Sequence, residues 1–374
     1  MGLTTAGWRR LARSALAAAL AGTLPQGPAA AQDRGTVFAG GLNRPMGVLV
    51  TPDGNVWVVD AGTGGDEEVP LFDPVARRPT TAGFGETSRV IRIARDGRQT
   101  VVATLPSLRI GEDQVYGGDR LAMLNGALYA TVGGWGEQNP GPRRPLVSAV
   151  VRIAGDRRTE VVNTWDLERD RNPDGTLRES NPFGLTAGPD GRLWVADAAG
   201  NTLLRVDPGS GTLQVVAVFR GVESPLPNPN RGGAMESDPV PTAVAFDPEG
   251  NAYVSLLPGL PFLPGSARVM KVTPGGDVSV FATGLTMLTD LRRGPDGALY
   301  AVSHARFTEQ GPVPGSGAIV RVRAGAVSEV VVDGLSFPTS LDFNSAGDAF
   351  VATNGAGPAG AGEIRRFAAI AAPR

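Results

Sequence analysis

A short unit recurs along this chain: an apolar strand, a turn of the Pro-Asp-Gly type and a second apolar strand. Such units, separated by turn dipeptides, are typical of repeat folds built from small sheets. Five copies are clear, and a sixth, which starts at position 120, is more degenerate. The copies are GVLVTPDGNVWVVDAG at position 47, RLAMLNGALYATVGG at 120, FGLTAGPDGRLWVADAAG at 183, TAVAFDPEGNAYVSLL at 242, DLRRGPDGALYAVSH at 290 and SLDFNSAGDAFVATN at 340.

A second pair of strands follows each of the other copies, but the copy at 340 is followed by one strand only, GEIRRF. Its missing partner lies at the other end of the chain, where TVFAGGL at 36–42 matches VSVFATGL at 278–285 and VVVDGL at 330–335. We therefore predict an all-β fold. It is a six-bladed β-propeller with four antiparallel strands per blade, and the N-terminal strand closes the last blade.

Strand direction predicts where the long loops lie. The turns after the first and third strand of each blade are short and share one face, so the other connections share the opposite face. Loops on a rigid scaffold often carry binding and catalytic residues. We call this side the long-loop face; it is predicted to contain the loops at 62–87, 106–117, 133–146, 164–180, 221–237, 257–266 and 305–316.

The N-terminal residues have the composition of a secretory signal. A basic stretch around Arg9 and Arg10 precedes an apolar stretch too short to span a bilayer, followed by three alanines that end at Ala31. This predicts a signal peptide over 1–31, a single propeller domain over 32–374 and a secreted or periplasmic location. The arginine pair leaves both the Sec and the twin-arginine export routes open.

Composition excludes several classes of site and partner. The chain has no cysteine, so disulfides and thiolate metal sites are excluded, and its single histidine excludes sites that need several imidazoles. The net charge is −2 with both signs scattered, so no basic patch indicates nucleic acid. No apolar run after the signal reaches membrane-spanning length. The expected partner is a small molecule, a polysaccharide or a protein on the long-loop face.

Polar residues stand at the start of the innermost strand of every predicted blade, where they would converge at the mouth of the central channel. Carboxylate and amide oxygens suit Ca²⁺, and Asp119, Asn181 and Asp238 are its predicted ligands. A wet rim of polar residues without a function is the alternative. The predicted ligand-binding residues are Asn43, Arg44, Asp119, Arg120, Asn181, Asp238, Asp290 and Thr339.

Other polar residues are weaker candidates for a functional site. His304 ends the second strand of the fifth blade, where it would act as a catalytic acid or base or be a hydrogen-bonded bystander. The loop GEDQVYGGDR, with Glu112 and Tyr116, would contact a ligand or be solvated. Asp60 and Asp197 end second strands, and we expect them to accept backbone N–H bonds rather than to bind a cation.

Three stretches resemble the ScyD/ScyE family of exported NHL-like propellers, and the resemblance covers nearly the whole mature chain. They are GLNRPMGVLVTPDGNVWVVDAGTGG, NPFGLTAGPDGRLWVADAAGNTLLRVDP and GGAMESDPVPTAVAFDPEGNAYVSLLPGLPFLPGSARVMKV. The resemblance implies a propeller in the cell envelope or outside the cell. It implies no catalytic residue.

Two functions are compatible with these patterns. The chain has no Ser-His-Asp motif, phosphate loop or dinucleotide fingerprint, which favours a binding or scaffold module. The alternative is a cation-dependent lactonase-like or lyase-like enzyme with its site at the channel mouth, for which Asn181, Asp238 and His304 are the motivation. A quinone-dependent sugar dehydrogenase is less favoured, because lysine and histidine are scarce.

Overall fold

The computed structural model describes residues 35–73, 77–111, 114–325 and 327–373. The predicted signal peptide and Glu112 of the acidic loop lie outside the described residues. The described chain is all-β apart from one helix, α1 (Thr164–Arg171), and one 3-10 turn (Pro229–Arg231). Within it, no helix is both long and apolar enough to cross a membrane.

Six sheets of at least four strands account for most of the described residues. In each sheet every strand pairs antiparallel with its neighbours. From its first strand outward, sheet 1 comprises β2 (Pro45–Val50), β3 (Val56–Asp60), β5 (Arg78–Ile93), β6 (Gln99–Ile110) and β7 (Gln114–Tyr116), and β4 (Glu67–Asp73) also pairs with β5. Sheet 2 comprises β8 (Gly118–Leu124), β9 (Ala127–Val132), β11 (Ala149–Ala154) and β12 (Arg157–Asn163). Sheet 3 comprises β14 (Pro182–Ala187), β15 (Leu193–Asp197), β16 (Thr202–Asp207) and β17 (Thr212–Val218).

The other three sheets follow the same order, except that the last strand of sheet 6 comes from the N-terminus. Sheet 4 comprises β20 (Pro241–Phe246), β21 (Ala252–Leu256), β22 (Ala267–Val272) and β23 (Val278–Leu285). Sheet 5 comprises β24 (Leu288–Arg293), β25 (Leu299–Ser303), β28 (Gly317–Val322) and β29 (Glu329–Leu335). Sheet 6 comprises β30 (Ser340–Phe343), β31 (Ala349–Thr353), β32 (Gly362–Phe367) and β1 (Thr36–Leu42). Three two-stranded pairs lie in loops: β10 (Trp135–Gly136) with β13 (Glu179–Ser180), β18 (Val222–Asn228) with β19 (Ala234–Ser237), and β26 (Phe307–Thr308) with β27 (Gly311–Pro312).

The first strands of the six sheets contact one another in cyclic order: β2, β8, β14, β20, β24, β30 and β2 again. The core therefore lies between neighbouring sheets. One apolar cluster, for example, joins Val59 and Leu105 of sheet 1 to Leu121 and Val151 of sheet 2. Because both faces of these sheets are covered, strands such as VWVVD carry nearly continuous apolar residues instead of a strict alternation.

The N-terminal strand completes sheet 6. β1 pairs antiparallel with β32, with Thr36 opposite Arg366 and Leu42 opposite Gly362. Leu42 is fully buried, while Val37 remains about half exposed because β1 is the outermost strand. The two ends of the described chain thus hold each other through backbone hydrogen bonds.

The antiparallel order puts the short turns on one face and the long loops on the other, as the strand directions require. The turn at 51–55 is held locally, because Asp53 accepts hydrogen bonds from the Thr51 hydroxyl and the Asn55 amide. On the long-loop face, β4 pairs with the first half of β5, and we call these paired residues, 67–73 and 78–84, the arm. Arg77 at its tip donates to Asn230 of the loop that precedes sheet 4, so the arm reaches across this face.

Candidate functional site

A cavity of about 180 Å³ opens on the long-loop face between the arm and the loops of sheets 2 and 3. One wall is apolar, and the other carries charged and amide groups. The apolar wall includes Leu71, Phe72, Leu108, Ile110 and Trp135, and the polar wall includes Tyr116, Glu137, Arg178, Glu179 and Asn181. We call it the loop-face cavity.

Two loops that are distant in sequence build this cavity. Trp135 of β10 pairs with Ser180 of β13, and Gly136 pairs with Glu179, so the loop after β9 is joined to the segment before β14. A Cβ atom on Gly134 would lie only 2.3 Å from the Ser180 carbonyl oxygen, which explains why glycine is needed at this close approach. The arm is tied to the same loop, since the Phe72 amide donates to the Asn139 side chain at 2.9 Å.

Glu179 is the titratable group of the cavity best suited to proton transfer. Burial raises the pKa of its carboxyl to about 7, with further increases from the negative charges of Asp238, Asp197 and Asp174. Arg77 acts in the opposite direction. A carboxyl group with a pKa near neutrality can accept a proton in its charged form and return it in its neutral form.

Tyr116 and Asn181 complete the polar wall. Burial, assisted by the charges of Asp73 and Glu179, raises the pKa of Tyr116 to about 12, so its phenol stays protonated at neutral pH. The buried Oδ1 atom of Asn181 has no hydrogen-bond partner among the described residues. The backbone amide of Asn181 donates to Asp197 at 2.7 Å, which fixes the main chain at this point. A polar ligand would satisfy the free amide oxygen.

Four of the predicted ligand-binding residues meet at the centre of the ring instead. Arg120 is 1% exposed, and its guanidinium donates to the carbonyls of Met46, Asp119, Thr289 (2.5 Å) and Thr339 (2.8 Å). It also lies over the ring of Phe183 at 4.5 Å. These bonds join sheets 1 and 2 to sheets 5 and 6. We call this group, together with Asp290, the axial cluster.

Asp290 supplies the negative charge of the axial cluster. One of its oxygens lies 3.8 Å from Nε of Arg120 and 3.6 Å from Nε of Arg292. The same oxygen accepts hydrogen bonds from the Ser340 hydroxyl at 2.6 Å and the Leu341 amide at 3.1 Å. The carboxylate is therefore fully buried and fully satisfied, which is the arrangement that a buried charge requires.

Three of the other four predicted residues lie outside both the loop-face cavity and the axial cluster. Asn43 accepts from the Gly360 amide beside the N-terminal strand, and Arg44 is buried next to it with a left-handed φ of 57°. Asp238 is ion-paired with Arg231 at 2.6 Å and accepts from Asn228 at 3.0 Å. Asn181 alone of the eight lines the loop-face cavity.

His304 lies between sheets 5 and 6 and does not line the loop-face cavity. Its Nδ1 is 2.9 Å from the Pro338 carbonyl oxygen, so the tautomer that fits has its proton on Nδ1 and a free lone pair on Nε2. Burial lowers the pKa of His304, opposed by this hydrogen bond, and favours the neutral ring. The geometry matches the hydrogen-bonded alternative better than a role in the cavity.

The three predicted calcium ligands do not fit a common ion. Asp238 is neutralised by Arg231, Asn181 faces the cavity, and Asp119 lies next to the guanidinium of Arg120, whose fixed positive charge opposes a cation. Within the described residues, no three histidine, aspartate or glutamate side chains form a group able to hold a metal ion.

Asp60 and Asp197 both accept the backbone N–H bonds expected of them. Asp60 accepts from the amides of Asn43 at 3.0 Å and Arg89 at 2.9 Å, and it pairs with the Arg89 guanidinium. Asp197 accepts from the amides of Asn181 and Gly200 and from the Ser180 hydroxyl. Both carboxylates join the end of a second strand to neighbouring backbone.

No family model matches the chain. A curated relative is the gluconolactonase of Zymomonas mobilis, which is 26% identical over 137 residues. That stretch is 36% of this chain and 36% of the relative, so the chain matches about a third of the relative's length.

Solved structures resemble the chain over most of its length. An oxidoreductase of Thermus thermophilus, named as a glucose dehydrogenase, aligns over 89% of this chain and 99% of its own with a TM-score of 0.51 and 18% identity. With the cyclic packing of the six sheets, this decides the architecture. The chain is a β-propeller protein. The virginiamycin B lyase of Staphylococcus aureus aligns over 87% of this chain and 95% of its own, with a TM-score of 0.46 and 16% identity.

Glu179 was not singled out from the sequence. It stands in RESNPF just before β14, outside the repeated strand pattern and outside any known motif. Its surroundings come from Asp174, Asp197 and Asp238, which belong to three different segments. The only local signal was its position on a long loop next to Asn181.

Proposed function

We propose that this propeller is a lactonase-type enzyme that opens an uncharged cyclic ester in the loop-face cavity, with Glu179 as the general base. The observation that carries the proposal is a recessed carboxyl with a pKa of about 7 beside an amide oxygen without a partner. The partial similarity to a gluconolactonase supports this reaction class above a scaffold function.

The proposed reaction adds one water molecule across the ester bond. The Glu179 carboxylate takes a proton from water, and the water oxygen bonds to the ester carbonyl carbon. The ring C–O bond then breaks, and the Glu179 carboxylic acid returns its proton to the departing ring oxygen. The product is an open-chain hydroxy acid. Arg178 is the cationic side chain of the cavity wall and would stabilise the negative charge that develops on the carbonyl oxygen.

The cavity walls suggest how a substrate would lie. Phe72 and Trp135 offer an apolar surface to ring carbons, while Asn181 and Tyr116 offer an acceptor and a donor to hydroxyl groups. A small polyhydroxylated lactone has both kinds of surface. The negative charges around Glu179 favour an uncharged substrate over an anionic one.

We further infer that the six sheets are the six blades of a propeller which β1 closes, and that 32–374 form one domain. The cyclic contacts of the first strands and the pairing of β1 with β32 support this reading. Membership of the ScyD/ScyE family and export to the periplasm or the medium are also proposals. They rest on the quoted sequence stretches and on the signal-like N-terminus.

The test is hydrolysis of lactones by the purified mature protein, starting with glucono-δ-lactone and simple γ- and δ-lactones. Acid release is followed in a pH-stat. Glu179→Gln should lower kcat by about 100-fold or more, because general-base catalysis typically contributes that much. Glu249→Gln, an exposed carboxylate in a short turn on the opposite face, is the matched control.

The pH profile tests the role of the carboxylate directly. Activity should rise with pH through about 7, because only the ionised form of Glu179 accepts a proton, and this limb should disappear in Glu179→Gln. Full activity in that variant would assign the reaction to another group. Binding of lactones without turnover would favour the scaffold alternative.

A further inference from the structure

A second group of oxygen atoms lies below the loop-face cavity, between α1 and the turn from β15 to β16. Helix α1 begins after Asn163, whose side chain accepts from the Asp166 amide, and it ends at Asn172. Glu168 points from this helix toward the turn. A Cβ atom on Gly200 would lie 2.6 Å from Oε1 of Glu168 and 3.3 Å from Cγ of Asp197, so the two carboxyl groups approach the same point.

Several oxygens of this group are buried and lack a hydrogen-bond partner among the described residues. They include both carboxyl oxygens of Glu168, whose side chain is 0% exposed, Oδ1 of Asn172 and Oγ1 of Thr202. Buried polar atoms in native proteins nearly always have a partner. A buried carboxyl without one on either oxygen is therefore a candidate position for a bound ligand.

The positions of these side chains follow from the local backbone. Asn172 caps the end of the helix in a left-handed conformation, and its backbone amide donates to the Glu168 carbonyl at 3.0 Å, which keeps the two residues adjacent. Thr202 is the cross-strand partner of Asp197, so the two side chains project from the same face of sheet 3. The four side chains thus come from two adjacent elements that already contact each other at Gly200.

The electrostatic field selects the charge of the ligand. The charges with the largest effect on the pKa of Glu168 are those of Asp197, Asp174 and Glu179, which raise it, and the smaller opposing one is that of Arg178. Every atom without a partner in this group is an oxygen. Oxygen atoms in a negative field are the surroundings that a hard cation prefers, and they do not suit an anion.

We propose that a Ca²⁺ ion binds between α1 and the β15–β16 turn, with Glu168 and Asp197 as carboxylate ligands and the oxygens of Asn172 and Thr202 as neutral ligands. Asp197 retains room for this role, since its Oδ2 accepts one hydrogen bond, from Ser180. With only two carboxylates the site is weak, with a dissociation constant on the order of 0.1 to 1 mM, as in extracellular calcium modules.

The site would also connect to the loop-face cavity. Asp197 holds the Asn181 amide and the Ser180 hydroxyl, and both residues line the cavity, as does Ala199 of the turn. A cation on Asp197 would therefore keep the polar wall in place. The proposal does not depend on which reaction, if any, takes place above it.

Calcium titration of the chelator-treated mature protein by calorimetry is the primary test. The wild type should bind one Ca²⁺ ion in the stated range, and 10 mM Ca²⁺ should raise Tm by about 2 to 4 °C. Glu168→Gln keeps the shape of the side chain but removes its charge, and it should weaken binding about tenfold or more. Asp238→Asn, which alters a carboxylate outside the site, should bind as the wild type does.

Terbium luminescence gives an independent readout. Tb³⁺ takes the same oxygen ligands as Ca²⁺, and Trp165 stands one helical turn before Glu168 as a sensitiser. Tryptophan-excited emission should appear in the wild type, decrease when Ca²⁺ is added and be lost in Glu168→Gln. The proposal is wrong if the stripped protein binds no Ca²⁺, if Glu168→Gln binds it unchanged, or if binding is lost in Asp238→Asn.

Discussion

The axial cluster and the loop-face cavity both contain charged groups that are largely shielded from solvent, but the two regions differ in how many hydrogen-bond and ion-pair partners those groups have. At the axis, Arg120 has four carbonyl partners and Asp290 has two hydrogen-bond donors from sheet 6 besides two arginines, although Nε of Arg120 and Oδ2 of Asp119 lack a hydrogen-bond partner among the described residues. In the cavity, Asn181 leaves an oxygen without a partner, and Glu179 lies among like charges.

This difference separates groups that hold the ring together from groups that can act on a ligand. A satisfied buried charge is costly to disturb and has no bonding capacity left for a substrate. A group with an unmet bond or a shifted pKa is poorly stabilised in the free protein and is available for chemistry. Convergence at the channel axis is therefore not sufficient to identify a site.

Arg120→Met tests whether the axial cluster stabilises the fold, and it should have the largest effect of these substitutions on the free energy of unfolding. The substitution removes the Arg120 hydrogen bonds to four carbonyls and a positive charge next to Asp290. We expect a loss of about 3–5 kcal/mol in the free energy of unfolding, measured by urea denaturation. A loss below about 1 kcal/mol would show that the axial cluster does not join the two halves of the ring.

Asp119→Asn probes a residue of the axial cluster whose own hydrogen bonding is incomplete. Its carbonyl accepts from Arg120, while its buried carboxyl has an oxygen without a partner. Burial raises the pKa of this carboxyl from 3.8 to about 8, opposed by Arg120. Because the folded state retains the proton, stability is fully present below about pH 4 and decreases as the pH rises toward 8.

The expected slope is up to about 1.4 kcal/mol per pH unit between pH 4 and 8, and it should be absent in Asp119→Asn. Urea denaturation of both proteins at several pH values measures it. If the two proteins keep a constant difference in stability across this range, the carboxyl is ionised in the folded state.

Asp238→Asn should have the smallest effect of these substitutions, which is a shift in the pH dependence of the reaction in the loop-face cavity. Asp238 is the first of the charges that raise the pKa of Glu179, so its removal should move the pH midpoint of lactone hydrolysis downward by less than about one unit. Arg231, which then keeps only its longer ion pair with Glu236 at 3.9 Å, acts in the same direction. Rates at saturating substrate from pH 5 to 9 give the midpoint, and an upward shift would contradict the assignment of the base to Glu179.

The sequence alone was enough to predict the strands and the propeller architecture. Units such as GVLVTPDGNVWVVDAG combine apolar strands with turn residues that act locally, and they correspond to β2 and β3. The likeness of TVFAGGL to outer strands indicated the pairing of β1 with β32. The turn role of Asp60 was also predictable, because it depends on residues next to a strand end.

Only the tertiary structure decided which polar residues meet. The sequence placed Arg120, Asn181 and Asp238 at equivalent points of the repeat, yet one fills the axis, one lines the cavity and one pairs with Arg231. The pKa of Glu179 likewise depends on carboxylates from three segments. The physical reason is the sequence distance over which each feature is determined. Strands and turns follow from residues that are neighbours along the chain. Side-chain partners and burial in the loops follow from contacts between residues that are far apart in sequence.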